Sequence, residues 1–161
     1  MSLEEFKLGL YEQYQGEITG EVALNRLLQK FQSPRQQYLL GTVLQLETET
    51  KAQLRQIVAV LGLDIVESEE AQKAGNELAD LVGALDWHDT LQTLCEVLSP
   101  VVDRFKEIAS LAPDEYKDLA DSMVAHEQLI IRLFEQEMHG AGHNVAQEIS
   151  SQLRYPLPNP G

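Results

Sequence analysis

Apolar residues recur along this chain every three or four positions, in long blocks, and no stretch alternates apolar with polar residues as a half-buried strand would. The first block runs from about Leu3 to Phe31, with Phe6, Leu10, Tyr14, Leu24, Leu28 and Phe31 on one stripe and Leu27 beside it. Ser33-Pro34 interrupts it, Ser33 as an N-cap and Pro34 in the first turn of a second helix. That helix carries Leu40, Val43, Leu44, Leu54, Ile57, Val58 and Leu61 and should stop near Gly62. So short a connection predicts two antiparallel neighbours.

The stretch from Asp64 to Gly83 is more polar and acidic. It predicts a surface helix from about Ser68 to Val82, with Leu78, Leu81 and Val82 facing inward, in a crossover connection. Asp86 is a good N-cap for a third long helix, whose stripe is Leu91, Leu94, Cys95, Leu98, Val101, Val102, Phe105 and Ile108. Pro100 should bend that helix, because it removes a backbone donor and crowds the preceding turn. Ala112-Pro113 closes it, and a fourth helix from Asp114 to about His139 turns Leu119, Met123, Ile130, Leu133, Phe134 and Met138 to one side. Gly140 and Gly142 end the fourth helix, a short helix from Asn144 to Leu153 follows, and 154–161 form a proline-rich tail expected to be extended and exposed. The expected organisation is thus one all-α domain over 1–153, an antiparallel four-helix bundle with an accessory crossover helix and a short C-terminal helix.

Several polar residues interrupt the apolar stripes. Glu47 lies among the apolar positions near the middle of the second helix, Glu17 and Glu21 lie on the first stripe, and His126-Glu127 falls in the fourth helix. A carboxylate buried bare costs several kcal/mol, so each needs a hydrogen-bond partner, a cation or a proton. At ~1.5 Å per residue, Glu21 and Glu47 lie roughly 18 and 21 Å from the turn at Ser33, on opposite sides of it, and Glu127 is as far from Pro113 as Glu47 is from Ser33. Glu21, Glu47 and Glu127 should therefore share one layer of the bundle. Gly16 and Gly20, each costly within a helix, point to close approach of a neighbouring helix there.

Over about 3–139 this pattern resembles the ferritin-like superfamily in the broad sense that includes rubrerythrin and bacterioferritin. Glu17-Ile-Thr-Gly-Glu21 is similar to the family's first-helix ligand segment, with Glu21 the better match in depth, and Leu46-Glu47-Thr48-Glu49-Thr50 looks like its second-helix motif. The resemblance implies a core dimetal site with one Glu from each of two helices and Glu-x-x-His from each of the other two. Here Thr50 and Ile130 stand where the two His residues belong, and the third helix offers no carboxylate at that depth, Glu96 and Asp103 lying off its stripe. Three carboxylates and one imidazole remain where a complete site has six ligands. His126 can substitute for a missing His although it points about 100° from Glu127 around the helix. The candidate ligand set is Glu21, Glu47, Glu127, His126 and Glu17, for iron or manganese held weakly or lost altogether. A second reading of the same residues needs no metal: Arg26, Lys51, Arg55, Tyr14 or Thr50 locks Glu21 and Glu47 into a buried hydrogen-bond network.

Charge narrows the partners. With 12 Lys+Arg against 26 Asp+Glu the net charge is −14, which attracts cations and repels nucleic acid and anionic membrane surfaces. No stretch reads as a signal peptide or a membrane span, and the single Cys95 excludes an internal disulfide and suits a reducing cytoplasm. A buried, inert thiol is expected of Cys95, a packing anchor of Trp87, and capping of the Glu137, His139 and His143 group. Two functions follow as expectations. One is a ferritin-like protein with a reduced or lost metal site, acting as a binding or interaction module for a metal or small molecule, most simply as a dimer. The other is a carboxylate-bridged iron or manganese oxidase or hydroxylase acting on dioxygen or peroxide, with Glu17 as proton relay.

Overall fold

The computed structural model describes residues 3–161. Among these it is an all-helical bundle without strands, built from α1 (Leu3–Lys30), α2 (Pro34–Val60), α3 (Glu69–Gly83), α4 (Trp87–Leu111), α5 (Lys117–Met138) and α6 (Gly142–Ser150). Local chemistry sets the boundaries. Ser33 caps α2 in a full capping box, its hydroxyl accepting from the Gln36 backbone while the Gln36 side chain accepts from the Ser33 backbone. Ser68 and Asp86 cap α3 and α4 one-sidedly, their side chains accepting from the Ala71 and Asp89 backbone N–H groups. Gly62, at φ 73°, ends α2 in the left-handed conformation that glycine alone adopts without strain.

Three expectations shift in detail. Asp114–Tyr116 is a 3₁₀ turn, and α5 begins only at Lys117. The terminal helix starts and stops earlier than its sequence pattern suggests, at Gly142 and Ser150. α3 buries small residues, Ala71, Gly75 and Ala79, together with Val82, whereas Leu81 is 59% exposed. The reason is close packing on α1: a methyl group at Gly75 would stand 2.6 Å from the Thr19 carbonyl oxygen and 2.7 Å from Val22 Cβ. So near a neighbour the contact face is built of small residues, while Leu78 packs partly buried against the core and Leu81 is left outside.

The apolar core falls into two parts. One gathers Leu24, Leu27, Tyr38, Leu40, Val43, Leu91, Leu94, Ile130, Leu133 and Phe134. The other gathers Phe6, Leu10, Tyr14, Ile18, Leu54, Val58, Phe105, Ile108 and Met123. On α1 the parts meet between Ile18 and Leu24, on α2 between Val43 and Leu54, and on α5 between Met123 and Ile130. Buried Glu47, His126 and Glu127 fall in these gaps, and Glu17 immediately precedes the first. A polar layer therefore divides the core. No described helix is long and apolar enough to cross a membrane.

The tail lies along α2. Backbone N–H groups of Arg154 and Tyr155 donate to Glu49, and Leu157 packs into the space that Gly41 leaves by having no side chain. Leu157 is half-buried, and the remaining residues of 154–161 are exposed.

Candidate metal centre in the polar layer

Glu17 of α1, Glu47 of α2 and His126 of α5 each bring one ligand atom into a group whose members lie within 4.8 Å of one another. Nε2 of His126 is the hub: it stands 3.6 Å from Glu17 Oε2, 3.6 Å from Glu47 Oε1 and 3.7 Å from Glu127 Oε1. Each separation is just beyond hydrogen-bond length, so the nitrogen faces three carboxylates without bonding any of them. Both oxygens of Glu17 and Oε2 of Glu127 are likewise buried with no hydrogen-bond partner. Buried donors and acceptors are nearly always paired, and four such atoms together leave a site that a cation would satisfy.

Close approach of helices makes the layer. A methyl group at Gly20 would meet Glu47 Oε2 at 2.8 Å and Cδ at 2.9 Å, so the bare backbone of α1 is what admits the carboxylate of α2. Gly16 has open space instead. On its other edge His126 Nδ1 lies 3.1 Å from Thr50 Oγ1. The Thr50 hydroxyl fixes the ring, and when Nδ1 carries the proton the Nε2 lone pair is left to face the carboxylates. Thr50 thus orients the imidazole of His126 toward the cluster.

The geometry brings together Glu17, Glu47, Glu127 and His126, and directs Glu21 elsewhere. Glu21 ion-pairs with Lys51 Nζ at 3.0 Å, and Lys51 also reaches Glu67 at 2.7 Å. Depth alone favours Glu21, but one turn along α1 rotates a side chain by about 40°, and that rotation carries Glu21 away from the cluster. Of the metal-free locks considered above, Lys51 on Glu21 is present, whereas Thr50 meets His126 and Arg55 meets Tyr14 Oη at 3.5 Å rather than a carboxylate. Gln13 escapes a reading by apolar stripe. It is fully buried one turn before Glu17, and neither of its amide atoms has a partner. Its signal in the sequence was the i, i+4 spacing to Glu17, masked by its neighbour Tyr14.

Electrostatics follow from burial. Loss of hydration, then the Glu47 carboxylate, then Glu127 and Glu21, hold Glu17 well above the usual carboxylate range. Glu127 is pushed up to about 8 by burial and by Glu47, against a downward pull from His126. For His126 burial favours the neutral ring, but Glu47 and Glu127 together outweigh it and raise its pKa. Burial and mutual repulsion thus favour the protonated acids of this layer, and its carboxylates favour the protonated imidazole.

Other candidate groups do not converge. Glu137 accepts from Arg35 and from the Trp87 indole, His139 Nδ1 bonds the Glu135 carbonyl, and His143 packs on Tyr38. Trp87 meets Phe31 edge-on at 4.9 Å between centroids, as a packing anchor does. Burial pushes the Cys95 thiol up to about 11, too high for a reactive thiolate.

Two features define the class: an all-helical bundle and a buried Glu/Glu/His cluster compatible with a ferritin-like fold. No family model, curated protein or solved structure matches the chain.

Proposed function

We propose that this chain is a ferritin-like four-helix bundle whose core site is reduced to a single divalent metal ion, and that it works as a metal-binding module. Support for the bundle comes from the pairing of α1 with α2. Tyr14 meets Arg55, Gly20 meets Glu47, and the Leu28 and Phe31 carbonyls accept from Gln37, an order that runs in opposite senses along the two helices. Support for one ion is the convergence of Glu17, Glu47 and His126 around unpartnered buried oxygens, with Glu127 completing the set. Three carboxylates and a neutral imidazole more than balance one dication, and oxygen donors with one nitrogen suit manganese, iron or zinc. Such an ion supplies Lewis acidity and, for iron or manganese, redox chemistry. The chain supplies the donors, orients His126 through Thr50, and holds protons on Glu17 and Glu127 when the ion is absent. A cytoplasmic setting and assembly as a dimer belong to the same proposal.

Metal analysis of protein purified without chelator, together with thermal unfolding in Mn(II), Fe(II) or Zn(II), tests it. One ion per chain and a raised Tm are expected, by about 2.7 kcal/mol of added stability at a hundredfold excess over Kd. Glu47→Gln should abolish both. Two tightly held ions per chain, or no ion and an unmoved Tm, would overturn it.

One observation favours an oxidase or hydroxylase as the second reading. A groove of about 510 Å³ between α2, α5 and α6, lined by Leu46, Thr50, Gln53, Met123, His126 and Gln152, reaches the Thr50–His126 pair. A small oxidant has a path to the layer there. Peroxide turnover by metal-loaded protein, lost in Glu47→Gln, would establish it. Turnover unchanged by that substitution would exclude it.

A further inference from the structure

We propose that Gln13 is the neutral member of the core site: its amide holds a water molecule in a position on the ion that Glu17, Glu47, Glu127 and His126 leave open. This rests on the metal-binding reading above and extends it. Gln13 is completely buried, and neither Nε2 nor Oε1 has a hydrogen-bond partner among the described residues. A buried amide without partners is rare, because its lost hydration is not returned. Both oxygens of Glu17, one turn further along α1, are in the same condition.

The register of the helices limits where a partner for Gln13 can lie. Phe6 stacks on Tyr116 and Glu17 faces His126, so α1 and α5 keep pace with each other and Gln13 is level with Met123. Tyr14 meets Arg55 of α2, which puts Leu54 at this height. Gly9 packs against Ile108 and Glu12 pairs with Arg104, so the nearest buried side chains of α4 are Val102 and Phe105. All four neighbours are apolar. The Tyr14 hydroxyl is turned away to the Ile65 carbonyl, and Arg55 follows it. On α1 itself Glu17 is the one buried acid within a turn of Gln13. Side chains four apart on a helix are neighbours, with Cβ atoms roughly 6 Å apart. They also lean toward the N-terminus, which carries the Glu17 carboxylate over the turn that bears Gln13. The polar side of Gln13 is therefore the side of the cluster.

Chemistry favours an amide at this point. An ion such as manganese takes about six donors, so the four protein groups leave room for solvent. Water on a cation is a good hydrogen-bond donor, and Gln13 Oε1 is an acceptor with no other claim on it. Three carboxylates already exceed the charge of one dication, so a fourth acid here would add an anion with nothing to balance it. The amide offers an oxygen without the charge.

The test compares the full chain with Gln13→Met, which keeps the length of the side chain and removes the amide. Calorimetry with Mn(II) should give one ion per chain for both, with affinity weaker by roughly tenfold or more in the variant. In chelator Gln13→Met should raise Tm, because an orphaned amide is gone, and in saturating Mn(II) that gain should shrink or reverse. Equal affinity, with the same change in Tm with and without metal, would make Gln13 a structural residue and overturn the inference, leaving the Glu17/Glu47/His126 site standing. No ion on the full chain would overturn the metal-binding reading and the inference with it. Gln13→Leu, a second apolar replacement, should repeat each result. On the full chain itself, water enriched in oxygen-17 should broaden the Mn(II) electron paramagnetic resonance lines. Lines left unbroadened would overturn the inference whatever the variants do.

Discussion

Gly20 and Glu47 fit as a hole fits a plug: the carboxylate of one helix rests where the other helix has no side chain, with Oε2 only 2.8 Å from the position a Cβ would take. Gly20→Ala sets two effects against each other. Alanine favours a helix interior by about 1 kcal/mol over glycine, while the new methyl displaces a buried acid that is costly to hold. Metal-free stability should change by about 1 kcal/mol or less, and affinity for Mn(II) should fall at least tenfold. Gly16→Ala, with nothing within 4 Å, should gain up to about 1 kcal/mol and leave metal affinity alone. Chemical denaturation and a metal titration on the two variants check the pair. Equal affinities would mean that the glycine does not shape the site.

α3 lies close against the backbone of α1. At Gly75 a Cβ would meet the Thr19 carbonyl and Val22 Cβ, neither of which is the yielding end of a flexible side chain. Overpacking of this kind costs about 1–3 kcal/mol, more than helix propensity returns. Gly75→Ala should lower Tm by a few degrees in a chain of this size. An unchanged melting curve would show that α3 is free to move off α1.

Much of this was legible beforehand, and the limits have physical causes. Helix positions followed from the 3.6-residue period, and Ser33, Ser68 and Asp86 cap α2, α3 and α4. Glu47, Glu127 and His126 could be singled out because a charge on an apolar stripe needs a partner. The choice between Glu17 and Glu21 could not be made from depth, which says how far along a helix a residue lies but not which way it faces. Leu81 misled because it counts as apolar on a helix whose inner face is chosen by size, small residues against α1, rather than by hydrophobicity. Gln13 has no hydrophobic signature at all, and Thr50 read as a lost ligand when its hydroxyl in fact holds His126.

Protonation in the layer gives a pH dependence of known direction. Glu17, Glu127 and His126 all have pKa values raised in the folded chain, Glu127 from 4.5 to about 8. A group raised on folding contributes stability that is complete below its unfolded pKa and is lost as pH climbs through its folded value. Glu49, whose pKa is lowered by the backbone of Arg154 and Tyr155 and by Gln45, works in the opposite sense and loses its contribution below about pH 4.5. In chelator, then, stability should be greatest near pH 5–6 and decline toward pH 9. Urea denaturation across that range measures it. Stability that rises from pH 6 to 9 would contradict the buried, protonated layer.

Glu17→Gln separates what the layer costs from what it binds. The amide has the shape of the protonated acid, so it removes the penalty of ionising a buried carboxylate with two unpartnered oxygens while keeping the packing against α2 and α5. At pH 8 in chelator the variant should be more stable than the parent, by about 1–3 kcal/mol, and the advantage should shrink toward pH 5, where the parent is already protonated. In Mn(II) the order should reverse, because the parent gains a ligand-bound state and the variant has given up an anionic donor from the three-residue group at His126. A carboxylate that merely kept the bundle in register would give no such crossing. Two unfolding curves at pH 8, with and without Mn(II), therefore distinguish a binding site from a structural acid, since only a binding site is less stable empty and more stable filled.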